Sequence, residues 1–406
     1  MKMISSLARR VLFACPAAAL LTGCGGSAQF SSPMAQTPSG NARTVGRNMA
    51  PSYTTPERAG HAAAEFAYVT NFFSNDISAY KIKGSGALTS AGVFRSGTGP
   101  GVVAITPNGK FAYVSNYGSN NVYAYAIDAT SGALTPVAGS PFKAGIQPLF
   151  VAVDPKGKFA YVPNGGSSNI SAYTVNAMSG ALTPVAGSPF SAGNEPDGVA
   201  IDPKGRFAYV SNYRSYDVSA YTINATSGAL TPVTGSPFTA GTNPEDGVVD
   251  PKGKSVYVPN YGSNNVSAYM INVVSGALTP LAGSPFNAGS GPQILAIDPK
   301  GKFAYVPNGG SNNVSAYTIS ATSGALTPVT GSPYGAGTEP DGGAVGPKGK
   351  FAYVVNDGSN NVSAYTINST SGALTPVAGS PFRAGTEPSG IATCRVSAGS
   401  CIPPPL

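Results

Sequence analysis

Seven carboxylates lie in short segments built around a proline, and these residues are the best suited to chemistry in the 406-residue chain. They are Glu195, Asp197, Glu245, Asp246, Glu339, Asp341 and Glu387. Clustered carboxylates bind cations, accept hydrogen bonds from sugar hydroxyls, or act as general bases when their pKa is raised. The alternative is that Glu-Pro-Asp-Gly is turn chemistry alone. A purely structural feature would recur in all seven equivalent segments, and the acids are absent from three of them.

A second candidate is the segment Tyr213-Arg214-Ser215-Tyr216-Asp217, which differs from its counterparts after Tyr117 and Tyr261, where Gly-Ser-Asn-Asn follows. An arginine near carboxylates and tyrosine hydroxyls suits a lactone, a carboxylate or a sugar, and it can stabilise an oxyanion. A surface ion pair of little energetic weight is the alternative. In a catalytic site, Glu195 or Glu245 would activate water beside Arg214. We expect the ligand to contact Asp197, Tyr216, Asp217, Asp246, Glu339 and Asp341.

Other catalytic and cofactor chemistry has little support in the sequence. The single histidine is His61, and the four cysteines are Cys15, Cys24, Cys394 and Cys401. This set is too small for a Ser-His-Asp triad or a zinc site. No glycine-rich phosphate loop precedes a helix. We therefore predict no cofactor, and only a divalent cation at the clustered carboxylates is left open.

A repeat positions these residues. The tyrosine of Phe-Ala-Tyr-Val, once Ser255-Val-Tyr-Val, recurs seven times at intervals of 45 and then 48 residues, at Tyr68, Tyr113, Tyr161, Tyr209, Tyr257, Tyr305 and Tyr353. Only 10% of the residues are charged, and the chain holds 52 glycines and 36 prolines. This composition excludes coiled coils and charge-driven disorder and favours short strands with many turns. A period of this length predicts an all-β, seven-bladed β-propeller.

Each copy predicts four antiparallel strands, exemplified in the fourth copy by Gly198–Ile201, Phe207–Val210, Val218–Ile223 and about Leu230–Val233. The first copy begins at strand two and the last ends with a lone strand one, Ile391–Cys394. We therefore predict that the C-terminal strand completes the first blade, which removes exposed sheet edges. Blades are numbered by their tyrosines, so blade four contains Tyr209.

Strand direction places the loops on two faces. The loops that lead into strand one and out of strand two form one face, the mouth, where the seven acids outweigh Arg95, Lys143 and Arg383 by a net charge of −4. The opposite, basic face holds the turns between strands one and two. These turns have a net charge of +7, because four aspartates, Asp154, Asp202, Asp250 and Asp298, offset part of the charge of eleven basic residues. The basic residues are Lys110, Lys156, Lys158, Lys204, Arg206, Lys252, Lys254, Lys300, Lys302, Lys348 and Lys350. This face could dock anionic groups, but duplicated solvated turns are the interpretation we favour.

An asparagine follows the Tyr-Val pair in every copy, at Asn71, Asn116, Asn164, Asn212, Asn260, Asn308 and Asn356. Its regularity predicts a structural task, the satisfaction of loop backbone groups. Tyr113-Val-Ser-Asn116, Tyr161-Val-Pro-Asn164 and Tyr68-Val-Thr-Asn71 resemble the Tyr-Val-Thr-Asn β-propeller repeat. Seven copies over about residues 62–396 resemble the lactonase group of that family, which includes 6-phosphogluconolactonase. The resemblance implies the fold and leaves the activity open.

The N-terminus resembles a bacterial lipoprotein signal. Lys2, Arg9 and Arg10 precede an apolar stretch, Val11 to Thr22, that is too short to span a membrane, and Leu21-Thr22-Gly23-Cys24 is similar to a lipobox. We predict a signal peptide at 1–23, a lipidated Cys24 with a flexible linker at 24–61, the propeller at 62–396 and a tail at 397–406. Export would let Cys394 and Cys401 form a disulfide.

Two functions follow, and the sequence leaves both open. We favour a lipid-anchored binding or scaffold module of the bacterial cell envelope, facing the periplasm or outer membrane. The alternative is a lactone hydrolase resembling 6-phosphogluconolactonase, which cleaves a carboxylic ester. The expected partners are the membrane, through the anchor, and either a small lactone or sugar or an envelope protein. We expect a monomer that binds no nucleic acid, because removal of residues 1–23 lowers the formal charge from +7 to +4.

Overall fold

The computed structural model describes residues 64–404, which form seven antiparallel β-sheets that follow one another along the chain. The prediction of a seven-bladed propeller is confirmed, and each blade contains four strands and one short additional strand. One 3-10 turn, Gly165–Ser167, is the helical element of the described residues. None of the helices in this part of the chain has the length and hydrophobicity to span a membrane. Cys24, His61, the signal peptide and the linker lie outside the described residues.

The strands occupy equivalent positions in each blade, counted outward from the channel. Strand one is Pro388–Ser397 in blade one, then Pro100–Ile105, Ala152–Val153, Pro196–Ile201, Val248–Val249, Ala296–Ile297 and Pro340–Val345. Strand two is Glu65–Asn71, Phe111–Asn116, Phe159–Asn164, Phe207–Asn212, Ser255–Asn260, Phe303–Asn308 and Phe351–Asn356. Strand three is Asp76–Ile82, Asn121–Ile127, Asn169–Val175, Asp217–Ile223, Asn265–Ile271, Asn313–Ile319 and Asn361–Ile367.

The outer strands are shorter in blades two to seven. Strand four is Leu88–Arg95, Leu134–Pro136, Leu182–Pro184, Leu230–Pro232, Leu278–Pro280, Leu326–Pro328 and Leu374–Pro376. The additional strand pairs with strand three in blades two to seven, at Phe142–Lys143, Phe190–Ser191, Phe238–Thr239, Phe286–Asn287, Tyr334–Gly335 and Phe382–Arg383. In blade one the additional strand is Ser400–Ile402, which pairs with the end of strand one.

Strand one has only two residues in blades three, five and six, and these blades carry Pro163, Pro259 and Pro307 near the end of strand two. The carbonyl oxygens of Pro259 and Pro307 accept hydrogen bonds from the segment that leads into strand one, at Glu245 N and Gln293 N, both at 2.8 Å. The proline nitrogen therefore faces the same segment and offers no donor. The missing donor is why strand one is shortened to two residues in these blades.

Each blade is joined to the next by the tyrosine of Phe-Ala-Tyr-Val. Its buried hydroxyl donates to the glycine carbonyl of Ser-Gly-Ala-Leu in the following blade, over 2.7–3.1 Å, in all seven blades. Tyr161, for example, donates to Gly228, and Tyr353 in the last blade donates to Gly86 in the first. Burial raises the pKa of Tyr257 to about 12 and those of the other six further still, which keeps all seven as donors.

A second tyrosine per blade, in strand three, makes the reverse connection. Its hydroxyl donates over 2.5–2.7 Å to a backbone carbonyl of the preceding blade, as from Tyr221 to Ser191 and from Tyr125 to Arg95. Each pair of neighbouring blades is therefore held by two tyrosine hydroxyls, one from each partner. Between these bonds pack seven apolar clusters, one at each junction between blades.

The repeated asparagine has the structural task that its regularity predicts. All seven side chains are fully buried, and each Oδ1 accepts from the amide of a glycine in the loop that arrives from the preceding blade, at 3.0–3.1 Å. Each Nδ2 donates to the first residue of strand three in its own blade, as Asn164 does to Asn169 at 2.8 Å. The asparagines therefore fix the loops beneath the mouth.

The C-terminal strand closes the ring as predicted. Pro388–Ser397 pairs antiparallel with Glu65–Asn71, so blade one contains both ends of the propeller. Cys394 and Cys401, both fully buried, form a disulfide with a Cα–Cα distance of 5.2 Å. The amide of Cys401 donates to the Gly109 carbonyl of blade two at 3.1 Å. Residues beyond 397 therefore extend the closing sheet as a hairpin.

Substitution of one glycine at a blade junction tests this design. Gly228 has φ +77°, and an added Cβ would collide with the ring of Phe159 in the preceding blade. We expect Gly228→Ala to lower the free energy of unfolding by about 2 kcal/mol or more, from left-handed strain and overpacking. Gly84→Ala is the control, because no heavy atom lies within 4 Å of its added Cβ. Chemical denaturation measures both variants, and equal stability of the two would contradict the packing argument.

Candidate active site at the channel mouth

A proline begins the inner segment of every blade, and the residue that follows it lies at the mouth of the channel. In blades four to seven and then blade one these residues are Asp197, Glu245, Gln293, Asp341 and Ser389, all buried, with 3–8% of their surface exposed. Gly101 and Leu149 occupy the position in blades two and three. We call the five polar residues the collar. Three of them were predicted site residues, and the structure places them at one level of the ring.

Gln293 and Ser389 were not predicted as site residues because the prediction for these loops followed their carboxylates. The signal that could have found them is their register directly after the repeated proline. Ser389 donates to the carbonyl oxygens of Pro100 and Gly101, both at 2.9 Å, and so joins blade one to blade two. Asp357, at the end of strand two in blade seven, is a further buried carboxylate of the mouth, with 3% exposed.

The residue before each proline has a left-handed backbone in all seven blades, with φ between 52° and 64° whether or not it is glycine. Three of these residues are the predicted Glu195, Glu339 and Glu387. In blade seven the amide of Glu339 is held by Asn312 Oδ1 of the preceding blade at 2.8 Å, and Glu387 is held in the same way by Asn360. Non-glycine residues in this conformation concentrate at functional sites.

Arg214 forms an ion pair with Glu195, through its Nε and Glu195 Oε2. The arginine side chain is 58% exposed and that of the glutamate 18%. The backbone supports the pair, because Tyr213 N donates to Glu195 O at 2.9 Å. An exposed pair of this kind stabilises the fold little, and the Nη groups of Arg214 remain on the mouth surface. The structure thus brings Arg214 to Glu195 as the sequence suggested.

Blades four and five bring further carboxylates together. An added Cβ at Gly198, which follows Asp197, would collide with the Asp246 carboxylate of the next blade. Asp246 is 2% exposed and Glu245 is 6% exposed. The absence of a side chain at Gly198 is therefore what admits Asp246 beside strand one of blade four. Among residues 64–404 no group of three or more carboxylate, histidine or cysteine side chains has a geometry that could hold a metal ion.

Tyr216 and Asp217 have separate surroundings. Tyr216 is 45% exposed and left-handed, with φ 59°. Asp217 accepts from Asn212 Nδ2 at 2.6 Å, as the asparagines at this position do in blades two, three and five to seven. Burial raises the pKa of Asp217, and the Asn212 hydrogen bond opposes this shift. Asp217 therefore supports the loop, and Tyr216 is the more exposed of the two residues.

The cations that offset the acids in the sequence lie away from the channel. Arg95, Lys143 and Arg383 are exposed and pair with the first residue of strand three, at the perimeter of the blades. The residues that flank strand one or end strand two contribute eight carboxylates, namely Glu195, Asp197, Glu245, Asp246, Glu339, Asp341, Asp357 and Glu387. With Arg214 as the cation among them, this inner mouth has a formal charge of −7 in the described chain.

Comparison with protein families gives a direct assignment. The family model described as lactonase, 7-bladed beta-propeller, matches residues 50–190, 151–241, 186–295 and 283–389. The chain belongs to this lactonase family. A comparison with curated proteins finds no significant match.

Solved structures share the fold of this lactonase-family propeller. A 6-phosphogluconolactonase candidate from Bacteroides fragilis is 20% identical, with a TM-score of 0.73, and the alignment covers 83% of this chain and 99% of that one. A periplasmic gluconolactonase from Pseudomonas aeruginosa is 19% identical, with a TM-score of 0.72 and coverage of 84% and 100%. AztD from Citrobacter koseri is 12% identical, with a TM-score of 0.55 and coverage of 83% and 99%.

A loop exchange separates function from stability in blade four. We predict that replacing residues 214–217 with Gly-Ser-Asn-Asn leaves the melting temperature at pH 7 unchanged or higher. One reason is that an asparagine at position 216 can accept a hydrogen bond from Asn243 N, as Asn312 does from Glu339 N at the entry to blade seven. The other is that an asparagine at position 217 removes a carboxylate whose pKa is raised in the folded protein. Ligand affinity or turnover should fall by ~1.5–3 kcal/mol if a charge-assisted hydrogen bond is lost.

The pH dependence identifies the contribution of Asp217. Because its pKa is raised in the folded state, its charged form costs stability above the unfolded value of 3.8, and the protonated form below 3.8 does not. The stability gained by the exchange at position 217 should therefore shrink as the pH falls through the raised folded-state pKa towards 3.8, and should be absent below 3.8. Melting curves at pH 7 and pH 3.5 provide the measurement. A large loss of stability at pH 7 would show that Arg214 is structural, and unchanged activity would place the site elsewhere.

Proposed function

We propose that this lactonase-family propeller is a cell-envelope binding protein whose mouth takes an uncharged or cationic, hydroxyl-rich ligand such as an unphosphorylated sugar or sugar lactone. The observation that carries the proposal is the inner mouth, with its formal charge of −7 and its buried collar. Ionised carboxylates are acceptors only, so they match the hydroxyl groups of a sugar. The ring positions five polar side chains of consecutive blades around one such molecule.

The same charge disfavours a phosphorylated ligand. A phosphate monoester carries about −1.5 to −2 at neutral pH, and like charges at a binding surface cost several kcal/mol. Arg214 is the cation of the inner mouth in the described chain, and Glu195 already neutralises it. The name of the Bacteroides fragilis relative refers to a phosphorylated sugar acid, whereas that of the Pseudomonas aeruginosa relative refers to an unphosphorylated one. The charge of this mouth favours the second ligand class.

Hydrolysis of a lactone is a second candidate function, supported by family membership and by the ion pair at the mouth. In this mechanism a carboxylate, Glu245 or Glu195, accepts a proton from the attacking water. The guanidinium of Arg214 then stabilises the negative charge on the former carbonyl oxygen. Glu195 is the weaker candidate for the base because its Oε2 already accepts from Arg214. Glu245, buried in the collar, is the better candidate.

A ligand panel tests binding and catalysis together. The full chain is titrated calorimetrically with glucose, glucosamine, glucono-δ-lactone, glucose 6-phosphate and 6-phosphogluconate, and lactone hydrolysis is followed by proton release with and without a chelator. We expect binding of an unphosphorylated member and weaker or no binding of its phosphorylated partner. Preference for the phosphorylated members would overturn the charge argument. Binding without turnover would support the module, and turnover would support the hydrolase.

Two collar variants and one matched control locate the site. Glu245→Gln and Asp341→Asn should each weaken binding by ~1.5–3 kcal/mol if the carboxylate accepts a ligand hydroxyl. Asp128→Asn is the control, because Asp128 caps a turn on the basic face by accepting from Thr130 N and Ser131 N, as Asn176 does in the next blade. Equal effects of all three substitutions would show that only net charge matters.

Lipid anchoring at Cys24 is the other part of the proposal, supported by the lipobox resemblance. We expect that Cys24→Ser abolishes labelling by radioactive fatty acid and moves the protein from the membrane fraction to the soluble fraction. Cys15→Ser, in the apolar stretch of the signal, is the control and should retain the label. Unchanged labelling and fractionation of Cys24→Ser would contradict the anchor.

A further inference from the structure

Below the collar, the central channel widens into an apolar cavity of about 630 Å³. Strand one of every blade contributes to its wall, with residues such as Val151, Val199, Ile201, Ile297 and Ile391. The lining contains one polar side chain, Thr393, whose hydroxyl donates to the Val345 carbonyl at 3.1 Å and so makes its bond within the wall. This volume lies in the ~300–1,000 Å³ range of small-molecule sites.

A ring of small residues determines the width of this cavity. The same position of strand one lines it in all seven blades and is alanine in six, at Ala104, Ala152, Ala200, Ala296, Ala344 and Ala392. Blade five has Val248 there. The blade framework therefore accepts a larger β-branched residue at this position, and the alanines leave space along the axis.

The two ends of the cavity carry opposite charge. The collar carboxylates lie one or two residues before the first wall residue of their blades, at the mouth end. The other end is bordered by Pro107, Pro155, Pro203 and Pro251 of the turns on the basic face, and by Ile402, Pro403 and Pro404 of the C-terminal segment. In blades three to seven an exposed lysine follows the proline of the turn. Lys348 of blade seven pairs with Glu65 Oε1 at 2.7 Å, and we call the other four the lysine rim: Lys156, Lys204, Lys252 and Lys300.

The turn aspartates hold the backbone of this rim in place. Asp154, for example, is 2% exposed and accepts from the amides of Lys158 and Phe159 at 2.5 and 2.7 Å, and from Lys156 N at 3.2 Å. The aspartates therefore lie beneath the turns, and the ammonium groups are the exposed charges. The second basic residue is directed elsewhere in two of the turns. Lys302 lies over the ring of Phe303 and donates to the Ser369 carbonyl of the next blade, and Arg206 lies over the ring of Phe207 and donates to the Val273 carbonyl.

We propose that this cavity binds a free fatty acid, with its hydrocarbon chain along the axis and its carboxylate at the lysine rim. An apolar wall favours an alkyl chain through burial of apolar surface. The charge at the two ends gives the ligand one orientation, because the collar repels a carboxylate and the lysine rim attracts it. The proposal concerns the opposite end of the channel from the mouth and is independent of the ligand that binds there.

Direct binding is measured with the full chain carrying Cys24→Ser, so that no covalently attached acyl group competes. Calorimetry with laurate, dodecanol and dodecylamine varies the head group on one chain length, and lysophosphatidylcholine tests a lipid source. We expect saturable binding of one laurate per protein and at least about tenfold weaker binding of dodecanol. Dodecylamine can bind only in the reverse orientation, with its ammonium group at the collar, so its affinity should not depend on the rim lysines. Absence of saturable laurate binding, equal affinity for laurate and dodecanol, or tighter binding of the lysolipid would overturn the proposal.

Two sets of variants locate the ligand. The combined change of Lys156, Lys204, Lys252 and Lys300 to glutamine should weaken laurate binding about tenfold or more. The same change at Lys158, Lys254, Lys302 and Lys350 alters net charge equally in equivalent turns but should leave affinity within about twofold. Equal loss in both sets would show a general charge effect and would contradict a site at the rim.

The cavity wall is tested by Ala152→Val, Ala344→Val and Ala392→Val together, which copy the residue of blade five. Laurate binding should be lost, and glucono-δ-lactone binding or turnover at the mouth should remain. Unchanged laurate binding in a folded triple variant would place the fatty acid elsewhere. If this variant fails to fold, Ala152→Val alone, expected to weaken laurate binding measurably, decides the same question.

Discussion

The hydrogen bond from a buried tyrosine hydroxyl to a glycine carbonyl of the next blade is the interaction on which this propeller depends. It occurs at all seven junctions, including that from Tyr353 back to Gly86. The glycine has to be left-handed and without a side chain, because in six blades the preceding blade's ring, such as Phe159 against Gly228, occupies the space of a Cβ. Phe-Ala-Tyr-Val and Ser-Gly-Ala-Leu are therefore the two sides of one junction, and each finds its hydrogen-bond partner only in a neighbouring blade.

This division of tasks explains why the mouth can vary. The tyrosine bonds hold the blades from the basic side, and the buried asparagines hold the loops directly beneath the mouth. In most blades the residues above the asparagines are therefore not needed to hold the loops together. Blade four can carry Arg214 and Tyr216 in place of Gly and Asn, and the position after the proline can change from Gly101 through Asp341. A uniform frame thus supports a mouth in which no two neighbouring blades are alike.

Charge is sorted along the channel axis. Carboxylates gather at the mouth, apolar side chains line the middle, and exposed lysines border the far end. Repetition alone would place the same residue in every blade at each level, as the alanine ring nearly does. The collar departs from this pattern in five consecutive blades. The electrostatic gradient is the physical reason to expect different ligands at the two ends.

The sequence by itself determined the number of blades, the strand order, the closure by the C-terminal strand and the structural task of the asparagine, because period and turn chemistry are local properties. Only the tertiary structure decided the rest. The shortening of strand one by Pro163, Pro259 and Pro307 depends on which neighbour each missing donor faces, and this follows from strand register. The approach of Asp246 to Gly198 and the apolar cavity depend on the distance between blades. That distance is set by the hydrogen bonds between tyrosines and glycines about one and a half repeats apart in the chain. A local sequence pattern does not predict contacts over this separation.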